Sequence, residues 1–312
     1  VITAASLLSC GNDDADSPVI SYENAEQFFT DLNFQGTVII KKNGAEVLSR
    51  GFGLANQQTG EANSIETRFR LASVSKTLTA MGIVQLKRDG LLESFDQKLN
   101  EFDEEFPNGN QISIRHLLTH QSGLPEYVGA FEPLAKSGEQ FEPADIYETI
   151  KESVAEEGLL FSPGESFNYC NSNFLIAALL IEELSGVTYA EYIQNKVLNP
   201  LGMTHTEIGT NAITLEGYAH GYRGNADRSE YPIEITLGAG NWTSTASDML
   251  KWCEAVMGDW FTNEEKAEIF PGEVPAETTL IGMGWFKSNI GGKVYFWHGG
   301  DIDGFSTMIG FI

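Results

Sequence analysis

Ser73-Val74-Ser75-Lys76 opens the run on which the reading of this chain turns. Across residues 73–89 the apolar Val74, Leu78, Met81 and Val84 recur at helical spacing, and Gly90 supplies the stop. A serine and a lysine three residues apart at a helix start share one face, one turn apart, so an amine stands against a hydroxyl. A serine hydroxyl is a weak nucleophile until a base takes its proton. A lysine serves as that base where desolvation and neighbours favour its neutral form. The helix start adds N–H groups suited to an oxyanion. The spacing occurs once in the 312 residues, and alone it would equally fit a capped surface helix.

Working outward, residues 22–33 read as a short amphipathic helix. Thr37–Ile40 and Glu46–Leu48 flank Asn43-Gly44, whose tolerance of positive φ predicts a tight hairpin. Downstream the chain reads as mainly helical to about residue 270, with clear helices at 172–185, 188–198 and 246–257. Strands return at 279–287, at Val294–Trp297 and at 305–312, with Gly291-Gly292 turning the chain between the first two. Strands at both ends of a helical middle predict an α+β fold: an antiparallel sheet formed from both chain ends, flanked by helices, with a mainly helical lobe inserted. A cleft between the lobes is the expected site.

The composition excludes several classes of function. Lys plus Arg number 19 against 44 Asp plus Glu, a formal charge of −25, which repels nucleic acid. No apolar run approaches the ~18–20 residues needed to span a bilayer. Three cysteines do not make a disulfide scaffold, and Cys170 and Cys253 carry no pairing signal. Cys253 reads as an apolar filler on a helical face.

At the start of the chain, Leu7-Leu8-Ser9-Cys10 follows an apolar run and resembles a bacterial lipobox. Residues 1–21 are therefore expected to be a signal-peptide remnant and lipoprotein tether with lipid on Cys10, and residues 22–312 the folded domain. The apolar, alternating Met308–Ile312 predicts that the C-terminal end is cut within a strand.

Two further clusters carry chemistry. Tyr169-Cys170-Asn171 offers a phenol able to share a proton with a lysine, and an amide with both donor and acceptor. Tyr22-Glu23-Asn24 repeats that spacing upstream, by chance. His298-Gly299-Gly300 closes the strand Val294–Trp297, where glycines allow close approach to the backbone and a histidine can hold an anion or relay a proton. His116 and His120 stand four apart, but Leu117-Leu118 fills the place of a metalloprotease glutamate, so no metal is expected. Gly51-Phe52-Gly53 lacks the helix of a dinucleotide fingerprint.

In order and spacing, Ser73-x-x-Lys76, Tyr169-x-Asn171 and His298-x-Gly300 resemble the three-motif signature of serine β-lactamases and penicillin-binding proteins. The class C branch, with its D-Ala-D-Ala carboxypeptidases, D-amino-acid peptidases and esterases, is the nearest in pattern. Phe69-Arg70-Leu71-Ala72, Ile114–Leu124, Pro163-Gly164 and Asn199–Met203 match its flanks, so the resemblance covers about residues 24–312.

The resemblance implies a β-lactamase/transpeptidase-like fold and an acyl-enzyme hydrolase without cofactor. It also implies a small peptide, ester or lactam substrate and a place in the bacterial cell envelope. Ser73 would be acylated. Lys76 and Tyr169 would share the base role, and Asn171 would meet the acyl-side amide. The backbone N–H groups of Ser73 and Asp301 would form the oxyanion hole, beside Gly300. The sequence departs from the family where His298-Gly299 replaces Lys-Thr and where Cys170 replaces Ser, which points away from lactam hydrolysis as the main task. At the family's anion-holding lysine, an unperturbed His298 would lose its charge near pH ~6.5, predicting pH-dependent carboxylate binding. Peptidase or carboxypeptidase action on D-amino-acid peptides leads, with ester hydrolysis close behind. A noncatalytic sensor that acylates slowly is the alternative of another class.

Overall fold

In a computed structural model, residues 25–270, 272, 273, 275 and 278–312 are described, together with the backbone of 2–5. The main sheet has seven strands: β1 (Ile2–Ala5), β2 (Gly36–Lys42), β3 (Ala45–Phe52), and, after a small sheet, β7 (Thr279–Ile281), β8 (Phe286–Ile290), β9 (Lys293–Ile302) and β10 (Phe305–Phe311). The small sheet is β4 (Arg68–Arg70), β5 (Glu207–Ile208) and β6 (Trp242–Thr245), in the order β4-β6-β5. The large sheet runs β7-β8-β9-β10-β1-β2-β3, antiparallel throughout, so both chain ends build it as the sequence predicts. Residues 2–5, read from sequence as part of a leader, pair with β10 on one side and β2 on the other. The β2–β3 hairpin turns at Asn43 and Gly44, with φ of 51° and 79°, the left-handed pair that its two-residue turn requires.

Nine helices occur among the described residues: α1 (Ala25–Asp31), α2 (Ser75–Arg88), α3 (Ile114–Leu118), α4 (Val128–Lys136), α5 (Pro143–Glu157), α6 (Ser172–Ser185), α7 (Tyr189–Ile193), α8 (Ala246–Met257) and α9 (Asn263–Ile269). α7 passes into a π-helical turn, Gln194–Leu198, that stops short of Pro200. α8 lies against the sheet, α2 packs on α6, and the short turn ahead of α2 meets β9 and β10. Eleven residues of α2 are buried, Ser75, Lys76, Thr77 and Thr79 among them. A helix buried all round must satisfy its polar side chains inside the protein. Thr77 does so by donating to Val74 O and accepting from Trp252 Nε1 of α8.

The sequence reads 279–287 as one strand; the fold breaks it after Ile281. Met283 and Trp285 are fully buried, and the amides of Met283 and Gly284 donate to Ile269 O and Leu118 O of the helical lobe rather than to a neighbouring strand. Gly284 takes φ +70°, which ends extended pairing there. The amphipathic helix expected over 22–33 is helical at Ala25–Asp31. Beyond it the chain turns at Asn33, whose φ is +52°.

Candidate active site

Ser73 sits in a single 3₁₀ turn, Ala72–Val74, that leads into α2, and it is partly exposed while its neighbours are buried. Ala72 takes φ +47°, a left-handed conformation that costs a non-glycine residue roughly 1–2 kcal/mol. Tertiary contacts hold it there. Leu71 N donates to Trp242 O of β6 at 2.8 Å, and Thr307 Oγ1 of β10 donates to Leu71 O at 2.7 Å. Gly300 of β9 is pressed against the same turn: a Cβ on it would lie 2.2 Å from Leu71 O and 3.0 Å from Ser73 N. Glycine is required at this strand position, so that the strand can reach the backbone of the nucleophile.

The Lys76 side chain is fully buried, and its Nζ meets three oxygens: Ser73 Oγ at 3.1 Å, Asn171 Oδ1 at 2.7 Å and Ala239 O at 2.8 Å. Three acceptors match the three N–H bonds of an ammonium. A neutral amine has two N–H bonds; if the fixed Asn171 and Ala239 oxygens take both, its lone pair faces the Ser73 hydroxyl. The second and third motifs reach this centre from other elements, Asn171 from the start of α6 and His298 from β9.

Asn171 is engaged at both ends. Its Oδ1 accepts from Lys76, while its N and Nδ2 donate to Glu126 Oε2 at 2.6 and 3.0 Å. Glu126 is exposed, and its other oxygen accepts from Val128 N at 2.8 Å. The sequence reading missed Glu126, because the carboxylate lies 45 positions from its partner and forms no motif with it. It places a negative charge at the mouth of the site. Cys170 is buried behind this pair, its thiol donating to Pro125 O at 3.4 Å; burial pushes the thiol up to about 11, so it stays protonated.

Tyr169 is half-buried and stacks on His120, ring centroids 4.3 Å apart, with Lys76 Nζ 4.9 Å from its ring centroid. Among the described residues its hydroxyl has no hydrogen-bond partner. The direct contact with Ser73 therefore belongs to Lys76. His120 accepts from Cys170 N at 3.1 Å through Nδ1, and burial, with Lys76 and His298 nearby, holds it well below its usual range. His116 accepts at Nδ1 from Ser113 N in the capping box of α3.

His298 requires a correction. The sequence predicts an imidazolium that binds carboxylates below pH ~6.5. The side chain is 1% exposed, its Nδ1 lies 2.6 Å from Gly299 O, and its ring packs against Phe286 at 5.2 Å. Burial, and then the charge of Lys76, pull it down to about 3. Imidazole is therefore neutral across the physiological range, and position 298 offers no cation to a substrate. Asp301, the next residue after Gly300, is exposed and pairs with Ser306. It also borders a cavity of about 410 Å³, lined further by Leu54, Asn63, Phe69, His220 and Phe305. Ser73, Lys76 and Tyr169 do not line this space. Cys10 lies outside the described residues.

A family model described as Beta-lactamase matches residues 24–312. A penicillin-binding protein of Bacillus subtilis strain 168 is 29% identical over 299 residues, which are 88% of this chain and 65% of that protein. The chain thus spans about two thirds of the length of that relative. The crystal structure of a penicillin-binding protein from Bacillus halodurans superposes with a TM-score of 0.74 at 25% identity, covering 91% of this chain and 93% of that one. A D-amino acid amidase from Ochrobactrum anthropi SV3 shares the fold at a TM-score of 0.73 and 22% identity, over 88% of this chain and 86% of its own.

Proposed function

The chain belongs to the β-lactamase family, and from that premise we propose that it is a serine hydrolase working through an acyl-enzyme on D-amino-acid amides, peptides or esters. The observation that carries the reading is the Ser73–Lys76 pair, 3.1 Å apart, with the lysine fully buried and its other two partners fixed. Lys76 takes the Ser73 proton as Oγ attacks the substrate carbonyl, and later returns it to the leaving group. Tyr169 flanks that transfer. The backbone N–H groups of Ser73 and Asp301 receive the developing oxyanion.

Charge narrows the substrate. His298 is neutral, and so supplies no partner for a free C-terminal carboxylate or a lactam carboxylate. Glu126 sets an anion beside Asn171 on a chain of formal charge −25, which favours a substrate with a free ammonium. Amidase or aminopeptidase action on D-aminoacyl donors therefore leads over carboxypeptidase action, and the D-amino acid amidase likeness supports the same order.

The test is a set of substrates: a D-aminoacyl p-nitroanilide with free amine, its N-acetyl form, a D-Ala-D-Ala peptide, a short ester and a cephalosporin. A burst followed by steady turnover on the free-amine anilide is expected. A burst that ends in a stable adduct on all five would replace the enzyme with a sensor. Glu126→Gln is expected to lower kcat/KM on the free-amine substrate by about 10- to 100-fold, the worth of one hydrogen bond to a charged group. The N-acetyl form should hardly respond. Equal losses on both would show that Glu126 only positions Asn171.

The same proposal puts the protein in the bacterial cell envelope, anchored by lipid on Cys10, whose attachment would follow cleavage ahead of Cys10 and so would release Ile2–Ala5 from between β2 and β10. Membrane partition that persists in Cys10→Ala would remove the anchor and leave the chemistry untouched.

A further inference from the structure

The helix that carries Lys76 has a second set of buried hydroxyls that touch no reacting atom. Thr79, one turn beyond Lys76, is fully buried, and so is Tyr189 of α7. Thr79 Oγ1 lies 2.6 Å from Gly238 O and 2.6 Å from the Tyr189 hydroxyl, which also lies 2.7 Å from Trp242 Nε1. The ends fix the direction of this chain, because an indole N–H only donates and a carbonyl only accepts. Trp242 donates to Tyr189, Tyr189 to Thr79, and Thr79 to Gly238. In a dry interior such a chain polarises along its length and resists distortion.

Other contacts grip the same segment. Gly238 N donates to Asn241 Oδ1 at 3.1 Å, and Trp242 N to Ser75 Oγ at 3.2 Å. Ala239 N and Gly240 N both donate to Thr236 O, at 2.9 and 2.8 Å. Gly238 has φ +69° and is pressed on α6, where a Cβ would lie 2.4 Å from Phe174 O. Within this clamped segment, Ala239 O is the atom that meets the catalytic group, 2.8 Å from Lys76 Nζ.

We propose that the Tyr189–Thr79 hydroxyl pair positions the Ala239 carbonyl and through it aims the Lys76 lone pair at Ser73. This rests on Lys76 as the base. In that step the proton moves from Ser73 Oγ to Lys76 Nζ as the Oγ–C bond forms and the carbonyl π pair moves onto oxygen. When the tetrahedral species collapses, that pair re-forms the C=O bond, the bond to the leaving group breaks, and the leaving atom takes the proton from Nζ. A loosened Ala239 carbonyl would weaken the charge-assisted bond to an ammonium more than the bond to an amine. The neutral form gains, so the acid limb of the pH profile moves to lower pH. The plateau falls at the same time, because the lone pair is no longer directed.

The groups that face Lys76 are Ser73 on its own turn, Tyr169, Asn171 and Phe174 at the start of α6, His120 behind Tyr169, and His298 on β9. Glu126 is reached through Asn171. Both histidines are kept neutral by burial.

The experiment is kcat/KM against pH on the D-aminoacyl p-nitroanilide, normalised to active sites titrated with a fluorophosphonate. Tyr189→Phe and the isosteric Thr79→Val are each expected to lower the plateau about tenfold, the order of one lost buried hydrogen bond. Each should also move the acid limb to lower pH. Thr79→Ser keeps the hydroxyl and should restore the wild-type limb. A lowered plateau with an unmoved limb in both variants would mean a structural role and overturn the proposal. If Tyr189→Phe does not accumulate, the Thr79→Val and Thr79→Ser pair decides alone. Lys76→Arg separates the two readings: inactivity there with unmoved limbs sinks only the positioning role, whereas a retained limb there removes Lys76 as the base.

Discussion

Ser73→Ala is expected to lower turnover by about 10⁶-fold, the scale on which an acyl-transfer enzyme feels the loss of its serine nucleophile. The variant should also lose covalent labelling by a fluorophosphonate, read by mass mapping of the peptide that holds residue 73. The fold should survive, because Ser73 is partly exposed and its hydroxyl serves Lys76 alone among the described side chains. Lys76 keeps Asn171 Oδ1 and Ala239 O as acceptors. Label on Ser75 would overturn the assignment, although Ser75 is fully buried and already accepts from Trp242 N. Equal labelling in the alanine variant would do the same.

Lys76→Arg carries the second-largest effect. A guanidinium keeps the charge but cannot release its proton near neutrality, so it cannot serve as base. It is also larger than the ammonium it replaces, in a slot with no exposed surface and three oxygens within 3.1 Å. Acylation, followed by stopped flow with a chromogenic ester, is expected to slow by about 10²- to 10⁴-fold, the range of general-base contributions. Near-normal acylation would move the base role to Tyr169, whose ring rather than whose hydroxyl meets Lys76 in this structure.

Much of this was legible in the sequence where local rules and tertiary demands agree. α6 and α8 match the expected 172–185 and 246–257, because Gly186 takes the left-handed stop and Thr245 caps α8. The hairpin at Asn43-Gly44 and the meeting of Ser73 with Lys76 also follow from spacing alone. The family resemblance adds Asn171 and His298, which no local spacing could bring to the same lysine.

The rest depends on long-range contacts that leave no pattern. Ala239 acts through a backbone carbonyl, which has no residue signature. Glu126 is an acidic residue after a proline until Asn171 folds onto it. His298 reads as an ordinary imidazole; only the surrounding core, with Phe286 and Lys76 beside it, makes it neutral. The strand read over 279–287 breaks because the helical lobe claims the amides of Met283 and Gly284.

The nucleophile and its base are attached to different parts of the molecule. The turn that carries Ser73 hangs from the sheet, through Thr307 on Leu71 O and the close approach of Gly300. The Lys76 amine is held by Asn171 of the helical lobe and by Ala239. Mechanically, the 3.1 Å between hydroxyl and amine is a gap between two supports: a change at Thr307 or Gly300 would carry the hydroxyl, and a change at Asn171 the amine, each relative to the other.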